Sequence, residues 1–209
     1  MTVSWIKEKF VNKKISEADD SMALFDAIAA FEDGNYAEAE SMFSNMIRSD
    51  KKHPLAYIMV ARTLILQKKN AQALDYLFHH LNYVDSKSIE ALTYMGLVYY
   101  ELEDTKSALK FFELAYTYRE ENLLIKENLA IANLELGKLD EALEFLSDLY
   151  DEFPQDRVIG ELLVNTLGRL GKWEPAGNII HALKNDEEYY DDSTLLPEYP
   201  VKTKHRFIH

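Results

Sequence analysis

The side chains in this sequence that could do chemistry are histidines and carboxylates. Six His and 36 Asp and Glu are spread over 209 residues that contain no Cys. A zinc site needs three or four ligands converging on one point. His79 and His80 are adjacent, so on a helix they point in different directions. His205 and His209 are four apart, but Pro200 lies just before them and no helix is expected there. His53 and His181 are isolated. Paired carboxylates can serve as acid and base, yet no pair here differs from what a solvated helix face carries. The lack of Cys removes disulfides, thiolate nucleophiles and Cys-ligated zinc. Neither a Gly-x-Ser-x-Gly elbow nor a phosphate-cradling glycine loop occurs. The reading is a non-enzyme without cofactor or metal.

The elements around these side chains are helical by composition. Ala, Leu, Glu and Lys dominate, while Gly and Pro number only seven and five. The net charge of -13 repels phosphate backbones and anionic membrane faces, which argues against a nucleic-acid partner and favours solubility. No apolar run approaches the roughly eighteen residues of a spanning helix. Lys7, Lys9, Lys13 and Lys14 interrupt the apolar residues of the N-terminus, so it lacks the continuous apolar centre of a signal peptide. A cytoplasmic location is expected.

A repeat organises the chain. Ala39, Ala73, Ala108, Ala142 and Ala176 recur at spacings of 34, 35, 34 and 34 residues, in the segments GNYAEAESMF, KKNAQALDYL, LEDTKSALKF, LGKLDEALEF and LGKWEPAGNI. Four residues after each marker alanine stand Phe43, Leu77, Phe112, Leu146 and Ile180, one turn along the same face. Twelve before it stand Ala27, Ala61, Gly96, Ala130 and Val164, mostly small. Thirteen before it stand Asp26, Val60, Met95, Leu129 and Leu163, apolar except the first. Gly34, Gly137 and Gly171 fall where a left-handed cap would end the first helix of a pair. Each unit thus reads as two helices of about 12–15 residues. Small residues let their backbones approach and large ones fill the space beside them. One pair cannot cover its own apolar face, so the pairs must stack.

This pattern resembles the tetratricopeptide repeat over residues 21 to 185, and Pro154 matches the proline that commonly ends such a repeat. The resemblance implies an all-α fold, a right-handed superhelical solenoid of about five antiparallel helix pairs. Some positions depart from it. Asp26 replaces a core Leu, and Met46 and His80 stand where a small residue is preferred, as Ala115 is in the third unit. Residues 1–20 read as an extra helix or cap, with Ile6, Phe10, Val11 and Ile15 on one arc and Lys7 and Lys14 inside it. Residues 186–209, with Pro197 and Pro200, read as an extended tail.

By the same resemblance, the first helix of each pair lines a concave groove. The inward positions become Leu24, Ile28 and Phe31; Ile58, Arg62 and Ile65; Thr93, Leu97 and Tyr100; Glu127, Ile131 and Leu134; and Glu161, Asn165 and Gly168. The first half is apolar and aromatic with one Arg, and the second half gains Glu127, Glu135 and Glu161. An amphipathic helix or extended peptide of a partner protein would fit. One cation is too few for the carboxylate clamp of the related co-chaperones, and the acidic stack is unlike the RNA-reading relatives. The expected function is a scaffold or adaptor for a cytoplasmic complex. The alternatives are a chaperone for a secreted or membrane client and a regulatory subunit of an enzyme. Self-association through the terminal repeats is also expected, because the last repeat lacks a cap.

Overall fold

A register of small and large apolar residues at helical spacing demands helices, and these form. The computed structural model describes residues 22–119 and 121–185. The cap expected over 1–20 and the tail expected over 186–209 lie outside the described residues. Among the described residues there are ten helices and no strand: α1 (22–32), α2 (Tyr36–Ser49), α3 (Pro54–Leu66), α4 (Asn70–Tyr83), α5 (Ile89–Glu101), α6 (Thr105–Tyr118), α7 (Leu123–Glu135), α8 (Leu139–Glu152), α9 (Arg157–Arg169) and α10 (Trp173–Asn185). They fall into five pairs, with a buried marker alanine in the second helix of each. The fold class is an all-α helical repeat, as the register requires.

One turn chemistry closes all five pairs. The N–H groups of Asn35, Lys69, Asp104, Lys138 and Lys172 donate back to the carbonyls of Ala30, Leu64, Tyr99, Asn133 and Leu167 at 2.8–2.9 Å. This is the six-to-one bond that ends a helix when the residue before the donor is left-handed. That residue is Gly34, Gly137 or Gly171 in three pairs, with φ of 77°, 74° and 72°. Lys68 and Glu103 take the same conformation in the other two, with φ of 61° and 63°.

The opposite connections are capped by side chains in one register, twenty residues before each marker. His53 Nδ1, Ser88 Oγ, Asn122 Oδ1 and Asp156 Oδ1 accept from the N–H groups of Ala56, Ala91, Ile125 and Ile159 at 3.1–3.2 Å. Each satisfies a donor that the first turn of a helix leaves without a partner. Pro54 adds its preset φ at the first position of α3.

The chain divides into two compact units between Tyr94 and Met95, within α5. In the first, α2 packs on α3 and α3 on α4, around Ala39, Phe43, Val60, Ala61, Leu64 and Leu77, all fully buried. Gln67 Nε2 and Lys69 Nζ both donate to Glu40 Oε2, at 2.9 and 3.0 Å, tying one pair to the next. The hydrogen bond from Lys69 holds the Glu40 carboxyl below its usual range. In the second unit, α6 to α10 pack in sequence from α6 against α7 to α9 against α10. Gly96 lies against the ring of Phe112, and the rings of Tyr99 and Phe111 stack at 5.3 Å. Tyr100 Oη and Thr105 Oγ1 donate to Glu135, and Arg169 Nη1 reaches the Leu134 carbonyl at 3.5 Å.

Candidate partner-binding surface

In the first unit one cation is held by aromatic rings. Arg62 lies near the middle of α3, four residues after Ile58 and therefore on the same side of the helix. Its guanidinium carbon is 4.9 Å from the ring centroid of Phe31 on α1 and 5.8 Å from that of Tyr94 on α5. Phe31 is itself braced edge-on by Tyr36, with centroids 5.7 Å apart. One Arg62 donor, Nη1, points to Met59 Sδ at 3.6 Å, a weak acceptor. No carboxylate among the described residues forms an ion pair with Arg62. Burial raises the Tyr94 hydroxyl above its ordinary pKa, against the pull of Arg62. Cation–π attraction to the two rings holds the guanidinium in place without a carboxylate.

Of the inward positions expected here, Leu24, Ile28, Phe31 and Arg62 are half-buried and present surface. Ile58, Ile65 and Thr93 do not, being buried in the fold. The physical reason is that α3 is apolar on nearly every side: Ala56 to Ala61 and Thr63 to Ile65 are all buried. Thr93 spends its hydroxyl within its own helix, donating to the Ile89 carbonyl at 2.8 Å. Tyr94 was not among the expected residues, although it supplies one of the two rings.

In the second unit the expected lane is also largely closed. Leu97, Tyr100, Ile131 and Leu134 are buried and belong to the core. Glu127, Glu161, Asn165 and Gly168 are half-buried. The acidic character expected at this end is moderated by local partners. Glu161 accepts from Arg157 Nε at 2.7 Å along α9, and Glu135 accepts from Tyr100 and Thr105.

The histidines separate as their adjacency requires. His79 is exposed and stacks on Tyr57, with centroids 4.9 Å apart and planes 7° from parallel. His80 is buried, its Nδ1 has no hydrogen-bond partner, and burial holds its pKa below the usual value. Among the described residues no group of three or more His, Asp and Glu could hold a metal ion, and no helix is long and apolar enough to cross a membrane.

Comparison with known proteins supports the same architecture. A family model described as tetratricopeptide repeat matches residues 30–86 and 99–165. No curated protein matches the chain. Several solved structures are similar in fold. A crystal structure of MamA is 13% identical, with 82% of this chain and 96% of that one covered and a TM-score of 0.68. The pilF protein of Pseudomonas aeruginosa is 18% identical, with 84% and 79% covered and a TM-score of 0.70. YrrB, described as a TPR protein with an unusual peptide-binding site, is 17% identical, with 76% and 81% covered and a TM-score of 0.63. At such identities the likeness concerns the fold alone.

Proposed function

Because the chain belongs to the tetratricopeptide repeat family, we propose that it is a scaffold or adaptor that holds a segment of a partner protein on the first-helix side of residues 22–94. The observation that carries this reading is Arg62, within cation–π distance of both Phe31 and Tyr94 and with no carboxylate partner among the described residues. In a chain of net charge -13, carboxylates to neutralise an Arg are plentiful. One left without such a partner, in a unit where Leu24, Ile28 and Phe31 also keep surface, suits an incoming carboxylate or main-chain carbonyl flanked by apolar side chains. The occupant is an extended peptide or the face of a helix, and the natural setting is a cytoplasmic complex.

Binding rather than catalysis is the reading that the polar contacts favour. Glu40 with Gln67 and Lys69, and Glu135 with Tyr100 and Thr105, join successive helix pairs. Their role is to fix the spacing of the repeats that present the binding side chains.

The test is capture of partners from the native cell by the wild-type chain beside Arg62→Glu and Phe78→Glu. Phe78 is exposed on α4, the second helix of its pair. Partners retained by Phe78→Glu and lost by a folded Arg62→Glu support the proposal. Partners lost only by Phe78→Glu would move the site to the second helices and overturn it.

A further inference from the structure

The outer face of α1 breaks the burial pattern of every later repeat. Met22 and Phe25 are 63% and 72% exposed, and Asp26 and Ala29 are exposed beside them. Spaced at i, i+3, i+4 and i+7, these four share one side of the helix. The positions equivalent to Met22 are Ala56, Ala91, Ile125 and Ile159, and those equivalent to Ala29 are Thr63, Val98, Ala132 and Thr166, none more than 4% exposed. Those equivalent to Asp26 are Val60, Met95, Leu129 and Leu163, again at most 4% exposed. The face of α1 is therefore built like a buried face. It differs in carrying one carboxylate where the others carry a large apolar group.

We propose that this face is the docking site of the chain's own residues 5–15. Two oddities of the sequence then account for each other. The apolar arc of Ile6, Phe10, Val11 and Ile15 contains Lys7 and Lys14, which a purely apolar partner face would exclude. The α1 face contains Asp26, which the same arc of the other repeats excludes. Brought together, apolar residues meet Met22, Phe25 and Ala29, and a Lys meets Asp26. The length of chain fits as well. Residues 16–21, Ser-Glu-Ala-Asp-Asp-Ser, leave a six-residue polar connection before Met22, within the roughly two to eight residues that join antiparallel helices. A second copy docking through the same face would set Asp26 against Asp26, which is unfavourable. The N-terminal segment thus seals the first repeat and keeps it from stacking on other chains.

These 209 residues contain no Cys, so single pairs can be introduced into the chain. Val11→Cys or Phe10→Cys, combined with Phe25→Cys or Met22→Cys, is treated with a short bismaleimide and read by mass spectrometry after size exclusion. The expected result is a cross-link within one chain, in the monomer fraction, for at least one pair. Asp26→Lys and Lys7→Glu/Lys14→Glu provide a second readout. Each lowers the melting midpoint alone, and their combination recovers at least half of the loss. Cross-links only between chains would give the face to a second copy and overturn the proposal. Absence of any cross-link, together with additive losses in the charge variants, would equally overturn it.

Discussion

Gly96 and Phe112 are in such close contact that a Cβ at Gly96 would fall 2.3 Å from Cε1 of the ring and 2.5 Å from Cδ1. The contact joins α5 to α6 at the position where the other pairs carry Ala27, Ala61, Ala130 and Val164. The Phe112 ring lies so close to α5 here that only a hydrogen fits beneath it. Gly96→Ala forces the ring or the helix to move, at a cost of about 1–3 kcal/mol. Gly177, on α10, has nothing within 4 Å of such a Cβ, so Gly177→Ala should be neutral or gain about 0.5–1 kcal/mol from helix propensity. Chemical denaturation of the two variants beside wild type shows a loss for Gly96→Ala and none for Gly177→Ala if the register of α5 on α6 is as described. A loss for Gly177→Ala and none for Gly96→Ala would contradict it.

Lys68 and Glu103 hold the left-handed turn position that glycine holds in the other three pairs. A side chain there costs about 1 kcal/mol in backbone strain. Lys68→Gly relieves that strain and returns part of it as flexibility of the unfolded chain, for a net gain of about 0.5 kcal/mol. Gly137→Ala introduces the strain where nothing lies within 4 Å to clash, so its loss of about 1 kcal/mol is purely conformational. Equilibrium unfolding in urea checks both signs.

His80 is expected to make the fold sensitive to acid. Its folded-state pKa is lowered by burial, against the pull of Asp85 and Glu90, with His79 acting in the same direction as burial. The unfolded chain therefore binds the proton more readily than the folded one. The stability that depends on neutral His80 is fully present above the unfolded pKa of about 6.5 and declines as pH falls below it. Leu149 fills the equivalent place in the fourth pair, so His80→Leu is a substitution the fold already uses. The melting midpoint of His80→Leu minus that of wild type should grow between pH 7 and pH 5. A difference that stays flat over that range would remove His80 as the acid-sensitive group.

The repeats were legible because alternation of small and large residues is a local property of each helix. All five marker alanines are buried, and Gly34, Gly137 and Gly171 take the left-handed φ expected of them. Lys68 and Glu103 were not legible as turn residues, since nothing in their side chains favours that conformation. The caps His53, Ser88, Asn122 and Asp156 did carry a signal, but four residue types at one register position share only an acceptor atom. The surface of the proposed lane was legible only in part. Helical spacing puts Ile58, Arg62 and Ile65 on one side, yet whether that side is open depends on neighbouring helices, and only Arg62 retains surface. Tyr94 is not legible from the repeat register, because the inward lane of α5 runs through its neighbour Thr93. A Tyr one turn from Glu90 on an otherwise small and aliphatic stretch was the available signal.

The claim that the first-helix side of residues 22–94 holds a partner is tested most directly by photo-cross-linking in the native cell. A photoreactive phenylalanine is placed at position 28 on α1 or at position 78 on α4, each with Arg62 intact or changed to Glu. One protein is expected to be cross-linked from position 28, lost with Arg62→Glu, and not cross-linked from position 78. The same protein cross-linked from position 78 but not from position 28, and indifferent to Arg62, would contradict it.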